Sequence, residues 1–535
     1  MKKGPFLTTL IVAAAALAVW GCGKRNRPPG PPIVQIHFAG AQAISRDTNS
    51  AAFNLEFCSP EARALESQTL DKLSRAPGVW FKDKLPAGVS HGSAQLRPLL
   101  DDFLKSEWTF EMREAPDSPE YTLAIRLDAA RAQLWQTNLR SLLESWTKIS
   151  ANDISNGWEL KKDLPPNLFR FVRAGDWIVI GCGQDDLPLS DEWVQGNFPV
   201  IPPGWVSANL DWPRLARIFP ELAKLPLPSV KMQVSGSNSN LVMTGKMELS
   251  QPLPVLEKWQ VPSPIIYEPL TSFTAARGFG PWLQNQAWAK PLDFSPEPDQ
   301  LFVWSLGSMP MQTFIAVPTP NATNALMQLG QNLSTDTQWQ DHLMSPFKFE
   351  KTADRISLAH VPFAAPEVRA LHEPTGDLLF ADVFPNPPRG KFPPPALYQQ
   401  LAPPNLVYYH WEVTSVRLKV LPQITQLALL LTRHQQLDAQ SAAGQWLKRI
   451  GPTLGASVTE VAQTGPSELS FVRQAPGGLT AFELIVLANW LQAPNFPGCD
   501  LSLPPERIPP ASPPVSPPIA RPMKTLTGAP AAPAH

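Results

Sequence analysis

Cysteine is scarce in this 535-residue chain, and no CxxC pair or other close spacing of metal ligands is present. The eight histidines form no HExxH motif, so the sequence predicts neither a zinc nor an iron–sulfur site. It also lacks a Walker loop, a dinucleotide fingerprint and a kinase signature. The 45 basic and 46 acidic side chains nearly cancel, which removes any overall electrostatic reason to bind nucleic acid. We therefore expect no cofactor and no nucleic-acid partner.

The N-terminal segment has the layout of a bacterial export signal. Lys2 and Lys3 precede an almost unbroken apolar stretch from Phe6 to Trp20, which is shorter than the about 20 apolar residues that cross a membrane. The following "VWGC", which ends at Cys22, resembles a lipobox, the motif whose cysteine is acylated and becomes the new N-terminus. Trp20 departs from that pattern because a small residue is usual there, which leaves an uncleaved anchor or an unlipidated signal as alternatives. Acylation of Cys22 and an uncleaved anchor would each tether the body of the protein to a membrane.

The two ends of the chain predict further segments without a packed core. We expect a signal peptide at 1–21, a Pro-rich tether at 22–32 and a disordered Pro-rich tail at 500–535. The chain has 62 prolines, many of them in that tail, where polyproline II is the expected conformation. A spacer, or a ligand for a proline-binding partner, is the alternative interpretation of the tail.

The remaining cysteines leave the redox state open. If Cys22 is acylated, three cysteines remain, Cys58, Cys182 and Cys499. One disulfide with one buried thiol is possible, and the spacing does not say which two would pair.

The body of the chain, from Ile33 to Cys499, repeats one order of elements four times: a strand, a capping residue, an amphipathic helix, then two strands joined by a polar turn. In the first copy, "YTLAIRLD" alternates as a half-buried strand does, Asp128 can cap the next helix, and "AGD" makes a hairpin turn. The other copies begin at "GWVSANLD", "MQTFIAVP" and "NLVYYHWEV". A final helix, "GLTAFELIVLANWL", is apolar on most sides, so we expect it to be buried.

This order of elements predicts an α+β fold with mainly antiparallel sheet and helices packed on one face. Length alone allows about three domains, but four units that each lack a closed core favour two lobes. We place the lobes at 33–260 and 261–499, with the join in the proline-interrupted "WQVPSPIIYEPL". Residues 33–106 are expected to pack on the first lobe.

A strand, a capped helix and a hairpin of the form "AGDWIVIG" resemble uncharacterised exported bacterial proteins, including lipoproteins, that have no assigned activity. The resemblance covers about residues 107–260 and, more weakly, 301–490. Since its motifs are structural, it implies a type of fold and no functional residues.

The strongest candidates for a binding or catalytic site lie in "LVYYHWEVT" and "AARGFG". Period two places Tyr408, His410 and Glu412 on one face of a strand, and a histidine–carboxylate pair can orient an imidazole for general-base work. The alternative is that these residues have no chemical role and form the more solvent-exposed face of an amphipathic strand, or a polar pair between strands. Arg277 can receive a carboxylate or phosphate, or it can bridge the two lobes.

Two other motifs are weaker. "GVSHG" places Ser90 in a G-x-S-x-G motif, but the charged and proline-containing "WFKDKLPA" before it cannot be the buried strand that a nucleophile elbow requires. "GCGQDDLPLSDEW" gathers four acids without the alternating spacing of a calcium loop, so helix capping is the simpler explanation. These four acids are Asp185, Asp186, Asp191 and Glu192.

The sequence therefore favours a membrane-anchored bacterial envelope lipoprotein that acts as a non-enzymatic scaffold or binding module, with an envelope protein or a lipid as partner. A carrier that encloses a hydrophobic ligand between sheet and helices is the first alternative. A hydrolase that uses Ser90 or His410 is the second.

Overall fold

A computed structural model of the chain describes the following residues: 32–80, 92–114, 118–162, 168–183, 204–224, 227–237, 239–284, 297–307, 312–335, 348–352, 354–361, 365–374, 376–384, 390–421, 438–494 and 496–498. The predicted signal peptide, most of the tether, the tail, Cys22, Cys499, Ser90 and the four acids at 185–192 lie outside these residues. All described residues belong to one compact unit.

The described strands form one sheet of 20 strands in which every neighbouring pair is antiparallel. Their bounds are β1 Pro32–Phe38, β2 Trp108–Arg113, β3 Glu120–Arg126, β4 Asn152–Ile154, β5 Gly157–Lys161, β6 Leu168–Ala174, β7 Trp177–Gly183, β8 Val206–Leu210, β9 Ser229–Ser237, β10 Asn240–Glu248, β11 Leu270–Arg277, β12 Gln300–Leu306, β13 Thr313–Pro318, β14 Lys348–Lys351, β15 Arg355–Ala359, β16 Glu367–Glu373, β17 Gly376–Asp382, β18 Leu406–Val413, β19 Ala456–Gln463 and β20 Glu468–Ala475. The expected mixture of helices with a mainly antiparallel sheet is therefore found.

The strand order divides the sheet into two sets of ten. From one edge the order is β4-β5-β6-β7-β3-β2-β1-β8-β9-β10, and from the other edge it is β14-β15-β16-β17-β13-β12-β11-β18-β19-β20. The sets meet where β10 pairs with β20, with Leu241 opposite Ala475 and Glu248 opposite Glu468. Adding ten to each strand number converts one order into the other.

Some of the described helices begin at a side-chain cap that the sequence predicts. Asp128 accepts a hydrogen bond from the N–H of Arg131, and Asp211 accepts one from the N–H of Arg214. No helix in the described ranges is both long enough and apolar enough to span a membrane. The helix bounds are α1 Ala41–Arg46, α2 Ala51–Phe57, α3 Pro60–Trp80, α4 Ser93–Lys105, α5 Ala129–Thr147, α6 Trp212–Ile218, α7 Gly280–Gln284, α8 Ala322–Thr335, α9 Pro395–Gln399, α10 Ala442–Ile450 and α11 Ala481–Gln492, and residues 414–421 are also helical.

The predicted hairpin after the first amphipathic helix is confirmed. β6 ends at Ala174 and β7 starts at Trp177, so the turn consists of Gly175 and Asp176. Gly175 has φ 60°, a backbone conformation that glycine adopts without strain.

Each of the two sets of strands has its own apolar core. In the first set, Phe110, Met112 and Ile125 pack with α4 and α5 in a large apolar core. In the second set, aromatic side chains such as Phe273 and Trp304 form the core. Because neighbouring residues of a strand point to opposite faces, the polar Ser272 and Thr274, which flank Phe273, lie on the other face of β11.

The contacts of two helices go beyond or against the sequence prediction. α3 belongs to the region 33–106 that is predicted to pack on the first lobe, and it also shares an apolar cluster with α10 and α11, where Lys72 donates to the last carbonyl groups of α11. α11 was expected to be buried on most sides, yet Phe482 is 58% and Val486 51% exposed. A helix that covers a sheet can bury only the side that faces its neighbours, whatever the composition of the outer side.

Candidate functional site

Three of the predicted site residues lie together on one face of β18. His410 is directly opposite Thr274 of β11 and Thr459 of β19, and Glu412 is opposite Ser457. Tyr408 lies two residues before His410, and the two rings stack with 6.4 Å between centroids. The strand period therefore places the three side chains as the sequence predicts, within a polar row that crosses three strands.

His410 makes one short hydrogen bond and lies beside a carboxylate. Its Nδ1 is 2.7 Å from the hydroxyl oxygen of Thr274. Its Nε2 is 3.5 Å from a carboxylate oxygen of Glu412 and has no hydrogen-bond partner. Thr274 is thus the hydroxyl that contacts His410.

Glu412 connects this row of polar residues to α11. The carboxylate is 3% exposed. It accepts hydrogen bonds from the hydroxyl of Thr414 at 2.9 Å and from the N–H of Ala481, the first residue of α11, at 2.7 Å. Burial alone would raise the pKa of Glu412. The contact with His410 and its charge, together with these two hydrogen-bond donors, outweigh the effect of burial, so the pKa is lowered. A helix N-terminus also favours a negative charge, so Glu412 is a structural anion.

A second ion pair and two buried hydroxyls extend the network. Arg473 of β20 donates to the hydroxyl of Thr459 at 2.9 Å and to Glu483 of α11 at 2.8 Å. The hydroxyl oxygens of Thr414 and Ser457 are 2.7 Å apart. Burial raises the pKa of Tyr408 to about 12, although the charge of Arg473 opposes this shift, so the phenol stays neutral.

Arg417, like His410, has buried nitrogen atoms that make no hydrogen bond with the residues that the structure describes. It is 9% exposed, and its Nε and Nη1 have no hydrogen-bond partner. Burial lowers its pKa, while the charge of Glu412 opposes that shift. No motif in the sequence points to Arg417, Arg473 or Ser457, because they meet β18 only through strand register and helix packing.

Arg277 does not join this network. It is an odd number of residues from Thr274 on β11, so its side chain leaves the opposite face of the sheet. Its Nε donates to the carbonyl of Leu406 at 2.8 Å, its Nη2 to that of Pro404 at 2.6 Å, and its Nη1 to that of Glu257. The guanidinium also lies 4.4 Å from the ring centroid of Trp259. These contacts attach the segments around Glu257 and Pro404 to the C-terminal end of β11.

An apolar cavity of about 110 Å³ lies between α3, α4 and α5 and strands β3, β6 and β7. The hydroxyl of Tyr121 is buried without a hydrogen bond, and burial raises its pKa well above the usual value. Burial also raises the pKa of the Cys182 thiol to about 12, so the thiol stays protonated. Six side chains that line this apolar cavity are Leu99, Phe103, Tyr121, Leu139, Phe169 and Cys182.

The described cysteines and acids give no further site. Cys58 and Cys182 are both free thiols, and the place of Cys499 lies outside the described residues. In the part of the chain that the structure describes, no group of three or more histidine, cysteine, aspartate or glutamate side chains is arranged to hold a metal ion.

Comparison of the chain with protein-family models, with curated proteins and with solved structures finds no match. What the protein does must therefore be argued from its own residues.

Proposed function

We propose that this protein is a membrane-anchored lipoprotein of the bacterial cell envelope, facing the periplasm or the cell surface, and that its body is a non-enzymatic binding module for a small apolar ligand. The apolar cavity, with its unpartnered Tyr121 hydroxyl, is the observation that carries the ligand assignment. The export signal and the lipobox-like sequence at Cys22 support the membrane tether.

The size and lining of the cavity define the ligand. Apolar cavities near 150 Å³ stay dry and take up molecules such as benzene, so about 110 Å³ suits an apolar group of a few carbon atoms. The Tyr121 hydroxyl is a buried donor without an acceptor, which costs about 1–3 kcal/mol until an acceptor is supplied. The expected ligand is therefore a short apolar molecule, or the end of an acyl chain, that carries one hydrogen-bond acceptor.

A binding experiment with benzene tests the cavity. Leu139→Trp should fill it and reduce benzene binding, measured by calorimetry, at least tenfold. Leu55→Trp, at an exposed position outside the cavity, is the matched control and should bind as the native protein does. Organic extraction and mass spectrometry of protein purified from its own membranes should then recover an apolar species that the Leu139→Trp variant lacks. Equal benzene binding by all three proteins would end the proposal.

The tether has its own test. Intact mass of the protein purified from its own membranes should show an N-terminus at Cys22 with added acyl mass, and Cys22→Ser should abolish that addition. An unprocessed chain would mean that Trp20 prevents cleavage and leaves a signal anchor. A cleaved chain without lipid would refute the tether but not the binding module.

We also propose that the body consists of two lobes, each built from two strand–helix–hairpin units. The shared pairing order of β1–β10 and β11–β20 supports this. So does the helix that follows each of β3, β8, β13 and β18. An internal duplication would produce such an arrangement, since each unit alone leaves an apolar face that a second unit covers.

A second candidate function is a hydrolase in which His410 acts as general base. The 2.7 Å contact between His410 and the hydroxyl of Thr274 favours it. Activity on a broad panel of esters and peptides should then be lost in His410→Ala and kept in His372→Ala, which changes an exposed histidine. Activity that survives His410→Ala would exclude this function.

A further inference from the structure

A polar cleft crosses the first set of strands on the face opposite α4 and α5. Phe110 and Met112 of β2 point into the core with these helices, so Thr109 and Glu111 point the other way. The cleft has a volume of about 490 Å³ and is lined from β1, β2, β8, β9 and β10. No phenylalanine, tyrosine or tryptophan is among the residues that line it in the described structure.

Strand register arranges the cleft as two parallel rows of polar side chains. Five strands at about 4.8 Å spacing make each row about 19 Å long, and two residues along a strand separate the rows by about 7 Å. The first row is Thr109, His37, Ser207, Gln233 and Thr244, and the second row is Glu111, Gln35, Asn209, Lys231 and Lys246, of which Glu111 alone does not line the cleft. A ligand that lies across the strands would contact both rows along its length.

Several of these side chains have hydrogen-bonding groups that the fold does not use. Those of Ser207, Asn209, Gln233 and Thr244 make no hydrogen bond within the described residues. By contrast, the carboxylate of Glu111 accepts hydrogen bonds from the side chains of Gln35, at 3.0 Å, and Arg113. The free groups are neutral amides and hydroxyls, each of which can donate and accept.

His37 adds a buried polar atom that has no partner. The residue is 5% exposed, and its Nε2 is 3.1 Å from a carboxylate oxygen of Glu107. Its Nδ1 is buried and makes no hydrogen bond. A buried polar atom without a partner is unfavourable, and His37 lines the cleft, so a ligand hydroxyl there would relieve it.

The charges that line the cleft are too few for a strongly anionic ligand such as a nucleic acid. Lys231 and Lys246 are directly opposite each other, and Lys246 forms an ion pair with Glu468 at 3.0 Å. Nucleic acids require several phosphate contacts, and single strands also use aromatic stacking, which these residues do not supply. A peptide that adds a strand needs a free sheet edge, whereas β1, β8, β9 and β10 are each paired on both sides.

We propose that the polar cleft binds a neutral, hydroxyl-rich oligosaccharide that lies across strands β2, β1, β8, β9 and β10. Amide and hydroxyl side chains hydrogen-bond the sugar hydroxyls, and the lack of a phenylalanine, tyrosine or tryptophan in the lining predicts recognition by hydrogen bonds without ring stacking. This site is separate from the apolar cavity, which lies on the other face of the sheet.

The test is calorimetric titration with a panel of neutral oligosaccharides of four to six sugars, based on glucose, mannose and N-acetylglucosamine. At least one should bind, and Asn209→Ala and Gln233→Ala should each weaken binding about three- to tenfold, the effect of one lost hydrogen bond. Gln42→Ala, which removes an exposed amide on α1 outside the cleft, is the matched control and should bind as the native protein does.

The same titration contains the outcomes that would overturn the proposal. One is no binding to any member of the panel, and another is binding that both cleft variants retain. An acidic oligosaccharide is titrated beside the neutral panel, and its selective binding, abolished by Lys231→Ala, would also overturn the proposal, since the ligand would then be an anion. Benzene binding measured in parallel keeps this result independent of the apolar cavity.

Discussion

At the scale of single residues, Glu412 determines how α11 meets the sheet. Its carboxylate holds the first N–H of the helix and the hydroxyl of Thr414, and it is almost fully buried. Side chains in this position satisfy backbone donors that a helix cannot pair internally. The neighbouring His410 therefore contributes to a structural network whether or not a ligand reaches it.

Replacing Glu412 should destabilise the protein strongly. Glu412→Ala leaves the N–H of Ala481 and the hydroxyl of Thr414 buried without an acceptor, so we expect a loss of about 3 kcal/mol in the free energy of unfolding. Glu412→Gln keeps an acceptor oxygen and should lose less. Urea unfolding measures both, with Glu460→Ala at an exposed position of β19 as the control. Equal stability of Glu412→Ala and Glu460→Ala would contradict this role.

Glu56 should make stability depend on pH. It is buried on α2, beside Gly477 in the turn before α11, and burial raises its pKa from 4.5 to about 8. Between these two values the folded state keeps a proton that the unfolded state releases, so stability should fall as pH rises through this window. The expected slope is about 1.4 kcal/mol per pH unit.

Glu56→Gln provides the measurement, because it removes the titration and keeps the shape of the side chain. Unfolding free energies at pH 5, 6, 7 and 8 should decrease for the native protein relative to Glu56→Gln, and Glu460→Gln should follow the native protein. A constant difference between native and Glu56→Gln across this range would show that Glu56 titrates normally.

At the scale of elements, α11 shows how composition and burial differ. The helix is capped by a reciprocal pair in which Thr480 and Glu483 each bond the other's backbone. Its apolar residues are distributed around the whole helix, but only Ala481, Leu484, Ile485 and Ala488 are buried. Packing therefore selects one side of a helix that the sequence alone would bury entirely.

Two substitutions on α11 should distinguish its buried side from its exposed side by their effects on stability. Leu484 is 0% exposed, so Leu484→Ala should cost about 2–5 kcal/mol of unfolding free energy. Val486→Ala, two residues away on the exposed side, should change it by no more than about 0.5 kcal/mol. Urea unfolding of the two variants makes the comparison, and similar losses would mean that both sides of the helix are covered.

At the scale of the whole molecule, the contacts between the two sets of strands extend beyond the pairing of β10 with β20. α3 precedes most of the first set in the chain, yet it packs with α10 and α11, and the indole N–H of Trp446 donates to the carbonyl of Glu56. The proposed lobes at 33–260 and 261–499 thus share a sheet and a helical cluster. We expect them to fold as one cooperative unit.

Splitting the chain tests this expectation. Residues 32–260 expressed alone should lack a cooperative unfolding transition, because β10 and the apolar side of α3 lose their partners. Coexpression with residues 261–498 should yield a complex that elutes as one species in gel filtration. A fragment 32–260 that is monomeric and melts cooperatively would show that the first lobe is an independent domain.

Much of the local structure follows from the sequence because its causes are local. Asp128 caps α5, the Gly175 turn joins β6 to β7, and alternation places Tyr408, His410 and Glu412 on one face. Each of these depends on residues within one or two turns of the chain, where side-chain type and spacing set the conformation. The sequence by itself therefore determined these caps, this turn and the alternation of side chains along the strands.

The partners of those residues depended on the tertiary structure. Thr274 reaches His410 across 136 positions, and Ala481 reaches Glu412 across 69. The apolar cavity and the polar cleft exist only because strands and helices distant in sequence enclose them. Hydrophobic patterning says that a side chain is buried, but register and packing decide what it is buried against and where space remains.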